Sequence, residues 1–364
     1  MLTEDAKNTN GSHASLGDSS HSGFAPHLAT RGAAALQGVG GLGYDRKLAR
    51  AVSRPLVVGR TGDKGDLISI PASLTSIAKA LHTAFRDLRL SGLRIIDWGF
   101  GSIVAGTSDG IIVRVGRTAA AARGHAVEVA VLPVLAPMLP NAVPVPTHYC
   151  PPGPLFPFGA IGYHRLPGRQ CQPETATETT GHQLGSFLAA LHQIDTHTPG
   201  LAALPGPEDV WQQRHALRAN AEPVVRRLMT TSENQRLDRW WDRLLADPRM
   251  QQYQPAARHG DIWYGNLLVQ EHGAISAVLD WEVAAIADPA QDLALARYLG
   301  AHFTGTVVDA YRSGGGTFDR ETQYRADRHW ELRELTGIPL AQAVNDEEEI
   351  SECISKLRAG PIFA

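Results

Sequence analysis

Cysteine is scarce: only Cys150, Cys171 and Cys353 occur in the 364 residues, and no two stand as Cys-x-x-Cys. An odd, scattered set of thiols argues against a disulfide framework and a four-ligand zinc site, and suits a reduced, cytoplasmic chain. Concentrated positive charge is also missing. There is no Lys/Arg-rich run, and a net charge of −3 offers no positive field to nucleic acid or an acidic membrane. No stretch approaches ~18 uninterrupted apolar residues, so no transmembrane helix is expected. Met1-Leu2-Thr3-Glu4-Asp5 lacks the basic-then-apolar order of a signal peptide. No internal repeat is visible.

What is present is an ordinary apolar fraction, 43%, in a chain long enough for two core-forming units. Residues 1 to about 45 are rich in Gly, Ser, Ala and His without a sustained period. Such a stretch buries too little apolar surface to offset its ordering entropy, so a disordered leader, or a start placed too far upstream, is expected over 1–68. Gly59 to Asp66 imitates a phosphate loop, but no Gly-Lys-Ser/Thr follows at the required spacing, and a surface turn is expected. The spacing of Leu74, Ile77, Ala78 and Leu81 predicts a helix over 69–90.

From Leu93 the pattern turns to strand: 93–98, a Gly99-Phe100-Gly101 turn, 102–105, an Asp109-Gly110 hairpin signal, and 111–115. A helix over 118–137, a Pro-rich loop over 140–157 and a strand over 158–163 complete this half. After Gly168 helices dominate: one carrying Leu184, Phe187, Leu188 and Leu191, then 208–229 and 232–246. Short strands are expected at 267–269 and 275–279. A last helix has Asn345 as cap, Asp346 to Glu349 in its first turn and Gly360-Pro361 as stop. Strands first and helices after imply an α+β protein of two lobes.

The chemistry concentrates in Arg258-His259-Gly260-Asp261-Ile262-Trp263-Tyr264-Gly265-Asn266, followed by Asp280-Trp281-Glu282 and Asp288-Pro289-Ala290-Gln291-Asp292. Phosphoryl transfer needs a carboxylate beside the attacking hydroxyl and hard oxygen ligands for a metal bridging the phosphates. Asp261 suits the first role, Asn266 and Asp280 the second. His259 suits a loop brace, bonded to neighbouring backbone or to Asp280. Asp288 suits a turn or cap, and Asp292 a hydrogen bond to backbone near the 259–266 loop.

These three blocks, in this order and spacing, resemble the catalytic core of the aminoglycoside phosphotransferase family, small-molecule kinases similar in fold to protein kinases. The resemblance spans roughly 90–335. It implies a bilobal, protein-kinase-like α+β fold, with a small β-rich amino-terminal lobe (69–166) binding nucleotide and a larger helical lobe (167–364) carrying catalysis and substrate. It implies Asp261 as catalytic base, Asn266 and Asp280 as Mg²⁺ ligands, and ATP or GTP as phosphoryl donor. Gly99, Gly101 and Ser102 would approach phosphate, although the third glycine of the Gly-rich motif is here Val104. Arg114 stands where the family carries a phosphate-contacting Lys or Arg, with Glu128 as its acidic partner. Backbone groups around Tyr163 and Arg165 would meet the base. His192 falls on a helix similar to one of this family and is expected to pack or to brace a loop.

The implied activity is transfer of the γ-phosphoryl group to a hydroxyl of a small molecule. The alternative is a catalytically silent kinase fold that binds a ligand or partner, though such folds usually lose one of the Asp, Asn, Asp trio. A metal-dependent phosphoesterase lacks its Asp-x-His and Gly-Asn-His segments. Trp240 and Trp241 fit core packing better than an acceptor site, and the acidic run 346–352 suits the helix dipole better than a cationic substrate.

Overall fold

The computed structural model describes residues 73–99, 101–343 and 345–363. The leader expected over 1–68 and the Gly59–Asp66 turn lie outside the described residues.

Ser73 caps the first helix, α1 (Leu74–Ala84), by a reciprocal capping box with Ser76. The helix stops at Ala84, short of the expected residue 90, because Phe85 leaves helical geometry and buries its ring with Ile77 and Leu81. Five strands follow: β1 (Arg94–Trp98), β2 (Ser102–Gly106), β3 (Ile111–Gly116), β4 (His148–Cys150) and β5 (Ala160–His164). They form one antiparallel sheet in the order β1-β2-β3-β5-β4. Ile103, Val113 and Val115 pack with α1 in one apolar cluster; the alternation along a strand sends Val104 and Ile112 to a different cluster with Tyr163. The Asp109-Gly110 signal makes the expected hairpin, with Gly110 at φ +89°.

Between β3 and β4 runs α2 (Ala119–Leu135), capped by Thr118. By length and composition alone, Ala119–Met138 is long and apolar enough to cross a membrane. Here it packs beside β3, and its Glu128 is completely buried against Arg114.

The larger lobe begins with β6 (Arg169–Gln170) and α3 (Glu178–His192), whose Leu184, Phe187, Leu188 and Leu191 are all buried as expected. Then come α4 (Pro207–Leu228), α5 (Thr231–Ala246), β7 (Ala256–Arg258), β8 (Leu267–Val269), β9 (Ile275–Val278) and β10 (Ala285–Ala287). The chain closes with α6 (Ala290–Leu295), α7 (Gly300–Ser313), α8 (Arg320–Ala343) and α9 (Glu347–Ala359). Two small sheets, β7 with β10 and β6-β8-β9, frame the 259–266 loop. α3 lies against α7 at a glycine contact: a side chain on Gly185 would collide with the Val307 carbonyl.

Trp240 and Trp241 sit in a second core with Leu332, Leu335 and Ile354, and the Trp240 indole donates to Glu331 at 2.7 Å. One local expectation is corrected. Asp346, not Asn345, caps α9, accepting the Glu349 N–H at 3.0 Å, while Asn345 takes a left-handed turn (φ +55°) between α8 and α9.

Candidate active site

The 259–266 loop joins β7 to β8 and is tied down at both ends. Gly260 has φ +89°, and a Cβ there would collide with Arg258 Nη1 and stand 2.7 Å from the Val283 carbonyl. Only glycine fits such a position. The Asp292 carboxylate on α6 accepts the N–H of His259 at 2.9 Å and of Gly260 at 2.6 Å. His192 Nε2 stands 3.1 Å from the same carboxylate, and its Nδ1 is 3.0 Å from the Tyr311 hydroxyl. His259 itself is fully buried; Nε2 donates to the Leu279 carbonyl at 2.8 Å and Nδ1 accepts the Asp261 N–H at 3.2 Å. Those bonds fix a neutral tautomer, and burial holds its pKa down. The bracing roles expected of His259, His192 and Asp292 are all present. Asp288 is more than a turn residue: besides the Ala290 N–H it binds Arg325 and His329, each at 3.0 Å.

Asp261 and Asn266 meet directly. The Asn266 amide nitrogen donates at 2.9 Å to both the Asp261 carbonyl and its carboxylate. Withdrawal from water, reinforced by the charge of Asp280 and opposed by the Asn266 bond, raises Asp261 to about 7. Asp280 follows β9 and has φ +66°, an uncommon geometry for a residue other than glycine, of the kind that gathers at functional sites. The preceding Leu279 is clamped to the loop, its N–H on the Asn266 carbonyl at 2.8 Å and its carbonyl on His259. Asp261 and Asp280 line one cavity of about 400 Å³.

From the smaller lobe, Arg114 on β3 reaches Glu128 through Nη1 at 2.8 and 3.0 Å. Its Nη2 stands 3.4 Å from Asp280 and bonds Glu282. Glu128 also accepts the Trp281 N–H at 3.1 Å, so α2, β3 and the 280–282 segment share one charged cluster. Glu282 carried no expected role. Its signal was its place in Asp280-Trp281-Glu282, but a partner 168 residues away is not readable from spacing.

The expected turn is placed beside this cluster, with Phe100 outside the described residues. Arg117, unforeseen from the sequence, donates its side chain to the Gly99 carbonyl and its N–H to the Gly101 carbonyl at 2.8 Å. Ser102 turns its hydroxyl to His125 at 3.2 Å, and it pairs with Gly116 at the start of β2. Tyr163 is buried with Val104 and Ile112, and burial raises its phenol. The Arg165 N–H is taken by the Gly110 carbonyl at 2.7 Å, which removes it as a donor to a base.

Among the described residues no group of three or more His, Cys, Asp or Glu is arranged to hold a metal. A magnesium ion needs fewer protein ligands, since phosphate oxygens and water complete its octahedron. Asn266 Oδ1 is buried and has no hydrogen-bond partner, its nitrogen being committed to Asp261. An orphaned amide oxygen on the strand-tied loop beside Asp280 is a hard donor suited to that ion.

The model of the phosphotransferase enzyme family termed APH matches residues 94–328, more than half of the chain. The chain belongs to this family. Viomycin phosphotransferase of Streptomyces vinaceus is 27% identical to this APH member over 287 residues, covering 74% of this chain and 93% of that protein. The macrolide 2'-phosphotransferase MphH from Brachybacterium faecium superposes with a TM-score of 0.59 and 26% identity, over 78% of this chain and 98% of that one. The GDP and kanamycin complex of APH(2")-IIia gives a TM-score of 0.67 at 18% identity, over 78% and 97% respectively, a likeness of fold.

Proposed function

We propose that this APH-family phosphotransferase moves the γ-phosphoryl group of ATP or GTP to a hydroxyl of a small molecule, in the cytoplasm. The observation that carries the reading is that Asp261, bonded to Asn266, lines one cavity together with Asp280. Asp261, lifted toward neutrality, would orient the hydroxyl and take its proton as the oxygen attacks phosphorus. Asn266 Oδ1 and Asp280 would hold Mg²⁺, which when bound neutralises phosphate charge. Arg114, held by Glu128, would exchange Glu282 and Asp280 for nucleotide phosphate oxygens. The backbone of Gly99, Gly101 and Ser102 would cover those phosphates, with Tyr163 and the Arg165 carbonyl near the base. The neighbours that carry GDP, ADP or ATP support a nucleotide donor.

The silent-fold alternative is disfavoured because no member of the Asp, Asn, Asp trio is lost. The test is direct. The protein is incubated with Mg·ATP or Mg·GTP and a panel that includes viomycin, kanamycin, macrolides and hydroxylated metabolites, and phosphoester is detected by mass spectrometry. Transfer to at least one acceptor is expected. Nucleotide binding without transfer to any acceptor, and without slow hydrolysis to phosphate, would instead favour the silent fold.

A further inference from the structure

The acceptor cavity has a basic wall. Arg214 on α4 and Arg258 on β7 both line it, and both are buried, with 9% and 5% of their surface exposed. Neither guanidinium has a carboxylate in contact with it among the described residues. Arg258 Nη1 is enclosed and has no hydrogen-bond partner. The polar contact of Arg214 is Nη2 donating to His329 Nδ1 at 3.3 Å, a neutral ring nitrogen.

The carboxylates nearby are already taken. Asp288 accepts from Arg325, His329 and the Ala290 N–H. Asp292 is committed to His192, His259 and Gly260. Burial, together with repulsion from Arg258, pushes Arg214 down to about 10, and the charge of Asp288, already bonded elsewhere, offsets this only in part. The acids that do line the cavity, Asp261, Asp280 and Glu282, belong to the reacting end. Much of the remaining wall is apolar, including Leu217, Trp263 and Leu332.

Asp288 and Asp292 act on these arginines only from beyond contact distance. A buried guanidinium with no carboxylate bonded to it is costly, and its fork matches a carboxylate in two parallel hydrogen bonds. We infer that the acceptor carries a carboxylate, seated on Arg214 and Arg258, an apolar body against the Trp263 wall, and its hydroxyl at Asp261. This rests on the phosphotransfer reading above for the role of Asp261, but the anion seat is a property of Arg214 and Arg258 alone. An acceptor that presents an amine to this wall would meet two like charges.

Three probes of one shape separate the possibilities: para-hydroxymethylbenzoate, the matching benzamide and the matching benzylamine, titrated calorimetrically into the full chain with Mg·ADP present. The benzoate is expected to bind at least about tenfold tighter than the benzamide, the step of one charged hydrogen-bonded contact, with the benzylamine weakest. Arg258→Met and Arg214→Gln should each remove the benzoate preference while leaving benzamide affinity unchanged. Equal affinities, a preference for the benzylamine, no binding of any probe, or a preference kept in both folded variants overturns the inference. The wild-type ranking stands as a test even where a variant fails to fold. Phosphoester formation from Mg·ATP or Mg·GTP is read on the same probes. Benzoate binding without transfer to any probe keeps the anion seat and counts against the transfer reading. Transfer with equal kcat/KM to all three keeps the transfer reading and removes the anionic acceptor.

Discussion

The Asp292 carboxylate holds the backbone of His259, accepting its N–H at 2.9 Å from a helix 33 residues further along the chain. The same group takes the Gly260 N–H, so the geometry of the residue before Asp261 is set by a side chain on α6. Replacing it leaves two buried amide donors and His192 without their acceptor. Asp292→Ala should lose about 3–5 kcal/mol of stability, the usual loss when one member of a buried charged network is removed. Urea unfolding checks this, and a loss below about 1 kcal/mol would show that the brace is dispensable.

Asp261→Asn tests the reacting carboxylate with little change of shape. If Asp261 accepts the hydroxyl proton, kcat should fall by ~10²–10⁴ while nucleotide affinity stays near the original. Because Asp261 is an acid whose ionised form is disfavoured by burial and by Asp280, the asparagine variant should be no less stable in the absence of nucleotide. Steady-state kinetics and thermal unfolding read the two halves separately. Unchanged kcat would remove Asp261 from the chemistry.

Glu128→Gln separates charge from shape at Arg114. The fully buried Glu128 receives both Arg114 and the Trp281 N–H, so a neutral amide would release the arginine toward Glu282 and Asp280. Nucleotide KM should rise by about tenfold, one charged hydrogen bond's worth, with a smaller change in acceptor KM. Equal rises for donor and acceptor would mean general unfolding of the cleft, not misplacement of one phosphate contact.

His329 makes stability depend on pH. Burial lowers it to about 4, with the Arg214 charge at Nδ1 acting in the same direction and the Asp288 bond opposing them. An unfolded histidine titrates near about 6.5. Between those values the unfolded chain binds a proton that the folded chain does not, so the contribution is fully present above about 6.5 and is lost as pH falls toward 4. Relative to His329→Gln, the wild type should lose up to roughly 3 kcal/mol across that window. Parallel pH–stability curves for the two proteins would contradict a buried neutral imidazole.

The groups proposed to react were legible as candidates because their relationship is local. An aspartate five residues before an asparagine lies in one loop whatever surrounds it, and Asp280 follows an apolar β run that has to end near the surface. Asp292 was legible as a backbone brace from the family resemblance and its place beside Leu293 and Leu295, not from proximity, since it stands 33 residues from His259. Helices α7 and α8 were not anticipated. The buried face of α8 includes Arg325, His329, Glu331 and Glu334, which blurs the apolar period that marks a helix. The cap of α9 was misplaced by one residue because Asn345 and Asp346 are equally good caps, and the turn that places Asn345 in the left-handed region depends on how α8 meets α9.

The sequence by itself determined the resemblance to the family core, the two-lobed order of strands and helices, and Asp261, Asn266 and Asp280 as the candidate trio, since the blocks that carry them are short stretches of chain. Tertiary structure alone decided that Glu282 meets Arg114 and that Arg214 and Arg258 share a cavity wall with no carboxylate in contact with either guanidinium among the described residues. Such encounters join segments tens to more than a hundred residues apart, and only the packing of whole elements sets which charges are buried together and which are left without a partner.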